Sequence, residues 1–266
     1  MSKTGSAAKV KLNSFDDLFG TEQPQTGTEQ VQEIALSELH EFKGHPFKVL
    51  DDEKMQETME SIREHGVLMP GIARPMKDGG YEIIAGHRRR HACELVGLTT
   101  MPMFIRDYTD DEATIIMVDS NIQREDILPS EKAKAYFMKY EAVKHQGKKG
   151  KGNSLDEVGE TAGESAKTVQ RYIYLAHLSD ALLDMVDKKK IGIVQGVELS
   201  FLTEQQQEWV QVVLEETGVI ISTVQVSRLK EYGKSDELTL PMVRLILTEP
   251  LSLIHISEPT RQAEIS

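Results

Sequence analysis

The stretch from Val67 to Arg106 alternates short apolar runs with one helix-period segment, and glycine marks the switches. Val67–Arg74 and Tyr81–Ala85 read as strands joined by the turn residues KDGG. His87–Val96 reads as a helix stopped by Gly97, and Met101–Arg106 as another strand. Upstream, IALSEL reads as a strand. A helix over 51–65 is capped by Asp51 or Asp52, shares Met55, Met59 and Ile62 on one face, and ends at Gly66. Strands and helices this short bury their apolar faces only against each other, which predicts an α+β domain. Two helices, Asp110–Asn121 and Ser130–His145, follow it.

Beyond the glycine- and lysine-rich hinge HQGKKGKGNS, the pattern to Thr248 is helical. Thr203 with Gln206 forms a capping box, Pro241 stands in the first turn of the last helix, and Trp209 is assigned to the core. A second helix is expected near Ala181–Lys189. Ser154–Leu178 fits a helix-turn-helix. Ser154 caps a short helix with Leu155 and Val158 inward, Gly163 makes the turn, and Ser165 caps a second helix with Val169, Ile173 and Ala176 inward. That second helix turns Lys167, Thr168, Gln170, Arg171 and Tyr174 outward, the side-chain chemistry of a DNA recognition helix. Gln170 and Arg171 are the candidate base readers and Lys167 a phosphate contact.

A net charge of −12 excludes a protein that coats nucleic acid with its whole surface, but not a local DNA-binding face. Between Lys132 and Gly152 lie seven lysines and one acid, Glu141, and Lys148 and Lys149 are candidate phosphate contacts beside the helix-turn-helix. No apolar run approaches the roughly 20 residues needed to span a bilayer. The lone Cys93 forms no internal disulfide, which fits a cytoplasmic protein, and it reads as a small buried residue.

The clearest site is AGHRRRHA, Ala85–Ala92. Gly86 joins a strand to a helix whose first turn carries Arg88, Arg89 and Arg90. Cations at a helix N-terminus oppose its dipole, so three of them there call for an anion. His87 and His91 share a helix face, but no third metal ligand lies near them in sequence.

The order GVLMP, AGHRRRHA, SNIQRED and helix-turn-helix resembles ParB-type partition proteins over roughly residues 31–250. The resemblance implies a ParB-like nucleotide-binding domain at 31–126 and an all-α DNA-binding domain at 127–250, with its helix-turn-helix at 154–178. It also implies CTP with Mg²⁺ as cofactor, carried by Gly66, Met69, Pro70, Gly86, His87, Arg88, Arg89 and Asn121, with Asn121 touching the metal through the nucleotide. The DNA-side residues are Ser165, Lys167, Thr168, Gln170, Arg171, Lys148 and Lys149. The implied protein loads as a homodimer on a palindromic, centromere-like DNA site and uses CTP as a clamp switch. It meets a ParA-like ATPase through its N-terminal tail, where Phe15, Leu18 and Phe19 share helical spacing, and it has no membrane partner.

Three positions depart from the family pattern. His87 and Ser120 stand where the family has glutamates, and Met69 replaces a frequent glutamine. Losing both carboxylates removes oxygen ligands for Mg²⁺, with Asp119 and Asp126 the nearest substitutes, so any CTPase activity is expected to be weak. A sequence-specific regulator of a mobile element would use the same two modules without segregation. Related kinases and sulfinic-acid reductases need a catalytic carboxylate or a phosphate-loop cysteine, which this chain does not place there. Residues 1–30 are expected to be a disordered tail. LSLIHISEPTR and the following residues to 266 read as translated sequencing adapter, so a native C-terminal domain is expected to be missing.

Overall fold

A computed structural model of the chain describes residues 31–124, 126–146 and 154–249. The tail candidates Phe15, Leu18 and Phe19, the hinge lysines Lys148 and Lys149, and the adapter-like residues 251–266 lie outside the described residues.

Five strands form one mixed sheet: β1 (Val31–Ala35), β2 (Leu39–His40), β3 (Gly71–Pro75), β4 (Tyr81–Ala85) and β5 (Thr100–Ile105), in the order β1-β5-β3-β4-β2. β1 runs antiparallel to β5, β5 parallel to β3, β3 antiparallel to β4, and β4 parallel to β2. Two of the expected strands are shorter than the apolar pattern. IALSEL breaks into β1, a 3-10 turn at Leu36–Glu38 and β2, and the Leu36 N–H to Thr99 O bond is the last in the β1–β5 register before the turn. Val67–Pro70 is loop rather than strand. Gly66 ends the preceding helix at φ 73°, and Pro70, lacking an N–H, cannot enter a ladder, so pairing starts at Gly71.

Helices α1 (Glu53–His65) and α2 (His87–Val96) pack on the sheet through Met55, Met59, Ile62, Ala92 and Cys93, all buried with Ile83, Met101 and Met103. Asp52 caps α1, accepting from Met55 N at 2.8 Å. Helix α3 (Asp110–Asp119) starts on a capping box, Thr109 with Glu112. Helix α4 (Pro129–His145) is the longest in the fold and packs against α3.

The helical region continues through α5 (Ser154–Glu160), α6 (Ala166–Leu175), α7 (Asp180–Asp187), α8 (Ile193–Leu199), α9 (Glu204–Thr217), α10 (Thr223–Lys234) and α11 (Leu240–Thr248). Its core gathers Leu175, Leu182, Leu199, Val210, Val226 and Val243, with Ala133 of α4 joining it. The Thr203–Gln206 capping box forms as expected, and Trp209 is half-buried against this core. The α7 helix is shorter than its pattern: it ends at Asp187, and Lys189 takes φ 58°.

Candidate functional site

The start of α2 is built by a glycine that only glycine can fill. Gly86 sits at φ 112°, and a Cβ there would lie 3.2 Å from Gly71 Cα of the neighbouring strand. This turn delivers His87 and three arginines to one end of the sheet. Arg88 donates to Asp52 Oδ1 at 2.5 Å, and that hydrogen bond holds the Asp52 carboxyl below the usual range. Arg89 donates to the carbonyls of Met69 and Pro70, 2.8 Å to the latter, so the GVLMP loop is fixed by its backbone oxygens. Met69 itself is exposed. Arg90 pairs with Glu94 at 2.8 Å. His91 turns away to Asp51 at 2.8 Å.

The SNIQRED segment closes the other side. Asn121 is buried, and its Nδ2 donates to Met117 O at 2.7 Å and Ser120 Oγ at 3.1 Å. Arg124 was not singled out by the sequence reading, although it lies inside that motif. Burial pushes its pKa down, with the positive charge of Arg88 adding to the effect. Arg89 is lowered for the same reason, burial first. A cavity of about 650 Å³ lies between Arg88, Arg124, Lys54 and the 47–50 loop, a second of about 480 Å³ between His45, His87 and Arg90. Arg88 and Arg124 line the larger cavity and Arg90 the smaller, with Asp52 and Glu94 partnering Arg88 and Arg90.

His87 is buried, and the His45 ring lies over it with centroids 3.9 Å apart. Burial, then His45, Arg124 and Arg90, push the His87 pKa down to about 3. His87 Nε2, His45 Nε2 and Arg90 Nε are buried with no hydrogen-bond partner among the described residues. Each such group costs about 1–3 kcal/mol unless something satisfies it. His45 was missed because nothing local in the sequence links it to His87.

The same residues fit Mg²⁺ poorly. His87 and Ser120 supply no carboxylate, and the nearby acids are engaged: Asp52 with Arg88, Asp126 with Lys54, Asp119 with Lys139. Asn121 turns its amide nitrogen into its own helix. Among the described residues no cluster of three or more His, Cys, Asp or Glu is arranged for a metal ion.

The α5–α6 pair is the second candidate surface. Gly163, at φ 66°, makes the turn, and Ser165 caps α6 by accepting from Thr168 N at 3.3 Å. Val169, Ile173 and Ala176 face inward as expected, Ala176 as the half-buried C-cap packed on the core, and Leu175 is buried there too. Lys167, Gln170 and Arg171 are exposed on one helix, while Thr168 is half-buried against Ser165. A feature the sequence reading missed is Gly159, where a Cβ would meet Glu164 O at 2.4 Å; it sets how closely the turn packs on α5.

Four lysines of the run have partners within the fold. Lys132 pairs with Glu164, Lys134 with Asp180, Lys139 with Asp119 and Lys144 with Glu141, so these four face acids of the fold. Lys139 is buried. Gln123 Nε2 donates to Thr161 O at 2.8 Å, joining SNIQRED directly to the α5–α6 turn.

An arginine-bearing helix start on an α+β domain is joined by the Gln123–Thr161 hydrogen bond to an all-helical region. Residues 20–122 match the ParB N-terminal domain family. The chain is 30% identical to the chromosome-partitioning protein Spo0J of Thermus thermophilus over 241 residues, covering 90% of this chain and 83% of that one. It therefore belongs to the ParB family. It is 35% identical over 187 residues to the chromosome 1-partitioning protein ParB of Deinococcus radiodurans, covering 70% of this chain but only 61% of that protein's length. A C-terminally truncated ParB from Caulobacter crescentus, solved with CTP-γ-S, is 24% identical, with a TM-score of 0.34, covering 70% of this chain and 97% of that one. No helix among the described residues is long and apolar enough to cross a membrane.

Proposed function

We propose that this chain is a DNA-binding partition protein that binds a palindromic, centromere-like site as a homodimer and uses CTP as a clamp switch. The observation that carries this reading is the glycine turn at Gly86, which starts a helix with Arg88, Arg89 and Arg90 in its first turn, while Arg88 and Arg124 line one cavity. That arrangement offers backbone N–H groups and guanidinium forks to a polyphosphate. Gly66, Met69 and Pro70 form the loop beside it and, on this reading, bound the base. Arg124 lines the larger cavity, and on this reading Asn121 lies beside the phosphates.

On the DNA side, Ser165 and Thr168 shape the start of α6, and Gln170 and Arg171 read base edges. Lys167, with Lys148 and Lys149 of the hinge, meets phosphates. A two-fold site requires two copies of α6, hence a dimer. The Gln123–Thr161 hydrogen bond gives a physical route by which an occupied nucleotide pocket reorients the reader. The ParA-like ATPase is the partner assigned to the N-terminal tail.

The test is equilibrium binding of CTP, ATP and GTP to the full chain, with and without DNA from the gene's own locus, and with Arg88→Ala as control. CTP-selective binding lost in the variant supports the clamp. Intact DNA binding with no nucleotide binding leaves a plain operator-binding protein.

A further inference from the structure

Tyr174 lies on α6 one turn beyond Gln170, half-buried where Gln170 is exposed. Gln170 Nε2 donates to Tyr174 Oη at 3.3 Å. The Tyr174 ring packs in turn on Phe201, just past the end of α8, with ring centroids 5.2 Å apart. Lys230 Nζ of α10 stands 4.0 Å from the centre of the Phe201 ring and pairs with Glu198 at 2.6 Å. Phe201 is 48% exposed, so this stack lies at the surface beside the outward face of α6 rather than in the core. Side chains from three helical segments thus line up behind one exposed glutamine amide.

A glutamine amide turns easily about its last torsion, and an amide free to turn discriminates poorly between bases. Its nitrogen carries two hydrogens. When the one turned away from Oε1 goes to Tyr174, the other stays beside Oε1. Those two atoms then form a donor–acceptor fork, the pattern that meets N7 and the N6 amine of adenine in the major groove. Resting on the DNA-binding reading above, we infer that Tyr174 is the positioning residue for Gln170: its hydroxyl fixes the amide so that α6 selects adenine at the base pair Gln170 meets. Phenylalanine at position 174 keeps the ring and its packing on Phe201 but frees the amide, so specificity and folding separate at this one oxygen.

The experiment selects bound duplexes from a library of random-sequence DNA with the full chain and sequences them. It compares the native protein, Gln170→Ala, Tyr174→Phe and the double variant, with thermal melting to confirm folding. The native chain is expected to enrich a motif in which Gln170→Ala loses the preference for one A·T pair. Tyr174→Phe is expected to cut that same preference by about fivefold or more. Preferences elsewhere in the motif, and affinity for random duplex, should stay within about twofold. The double variant should match Gln170→Ala, because a residue that acts through another adds nothing once that one is gone. An unchanged preference in Tyr174→Phe, an equal fall at every position, or an additive loss in the double variant overturns the inference while leaving DNA binding standing. So does a Gln170→Ala variant that loses no position, or loses a G·C pair. A native chain that enriches no sequence removes the sequence-specific DNA reading and this inference with it.

Discussion

Lys139 Nζ donates to Asp119 Oδ1 across 2.6 Å, and the lysine side chain is only 3% exposed. The same ammonium reaches Val158 O and Thr161 Oγ1, each at 3.2 Å. One buried charge therefore ties the end of α3, beside the SNIQRED segment, to α5 and its turn. Breaking such a pair from one side strands a charge, at about 3–5 kcal/mol, whereas an apolar isostere costs less. Asp119→Ala should destabilise the chain by about 3–5 kcal/mol. Lys139→Met, which leaves two neutral acceptors and a partly exposed carboxylate, should cost about 1–3 kcal/mol. Urea unfolding of both variants checks the order; a larger loss from the lysine change would mean the pair is not the anchor.

Gly159 makes a second, steric prediction. A methyl there would sit 2.4 Å from Glu164 O and 2.9 Å from Val169 Cγ2. Backbone oxygen cannot move aside as a flexible side chain can, so Gly159→Ala should force α5 and the turn apart, at about 1–3 kcal/mol. The tilt of α6 should change with it, and affinity for the cognate DNA should fall more than the loss of stability explains. Val169→Ala in the same background should not restore binding, because it relieves only the side-chain contact.

How far this architecture was legible depended on whether the deciding interaction was local. The α2 helix was read to the residue because Gly86 and Gly97 mark both its ends with left-handed turns. The Ser165 cap and the Thr203–Gln206 box were equally local signals. The partners of the lysine run were not legible, because charge counting cannot see that Glu164, Asp180 and Asp119 come from other elements to meet it. The candidate pocket divides the same way. Gly86 and the arginines announced themselves by opposing the helix dipole, while His45 reaches His87 only through the folded path of the 41–50 loop.

The neutral His87 should appear in the pH dependence of stability. In the unfolded chain it titrates near its ordinary 6.5, and in the folded chain only near 3. Between those values the unfolded state holds the extra proton, so stability is full above pH 6.5 and falls as the pH drops toward 3. One such group contributes a slope of up to about 1.4 kcal/mol per pH unit. His45, also lowered by burial, acts in the same direction. Denaturant unfolding between pH 7 and pH 5 should show the slope, and His87→Gln should flatten it. An unchanged slope in that variant would assign the effect elsewhere.

On α6, Gln170 and Arg171 are exposed, with Gln170 Nε2 3.3 Å from Tyr174 Oη. Loss of a base-reading contact is sequence-selective, while loss of a phosphate contact is not. Arg171→Ala should cost about 1–3 kcal/mol on cognate DNA and little on random duplex. Lys167→Ala should weaken both alike and lower the salt dependence by about one charge. Titrations on the two DNAs at several salt concentrations separate these outcomes; equal losses on both DNAs for Arg171→Ala would place it on phosphate.

Arg124 sets stability against function. Its charge bears on His45, His87 and Arg89, lowering each of their pKa values. Among the described residues only Glu131 offsets it in turn, while burial and Arg88 act against it. This guanidinium is exposed at the rim of the larger cavity, where water screens much of its repulsion with Arg88. Arg124→Gln keeps most of the side chain's length and hydrogen-bonding capacity but removes the charge. It should therefore raise the melting temperature measured without nucleotide only slightly, by well under about 1 kcal/mol of relieved repulsion. The same change should weaken CTP binding by about tenfold or more, since the charge is lost where the phosphates would sit. Melting curves with and without CTP measure both effects in one experiment. A variant that is less stable without nucleotide would show that Arg124 is a structural cation whose partner the protein already supplies. Opposite signs in the two curves are what a pocket held open for an anion requires.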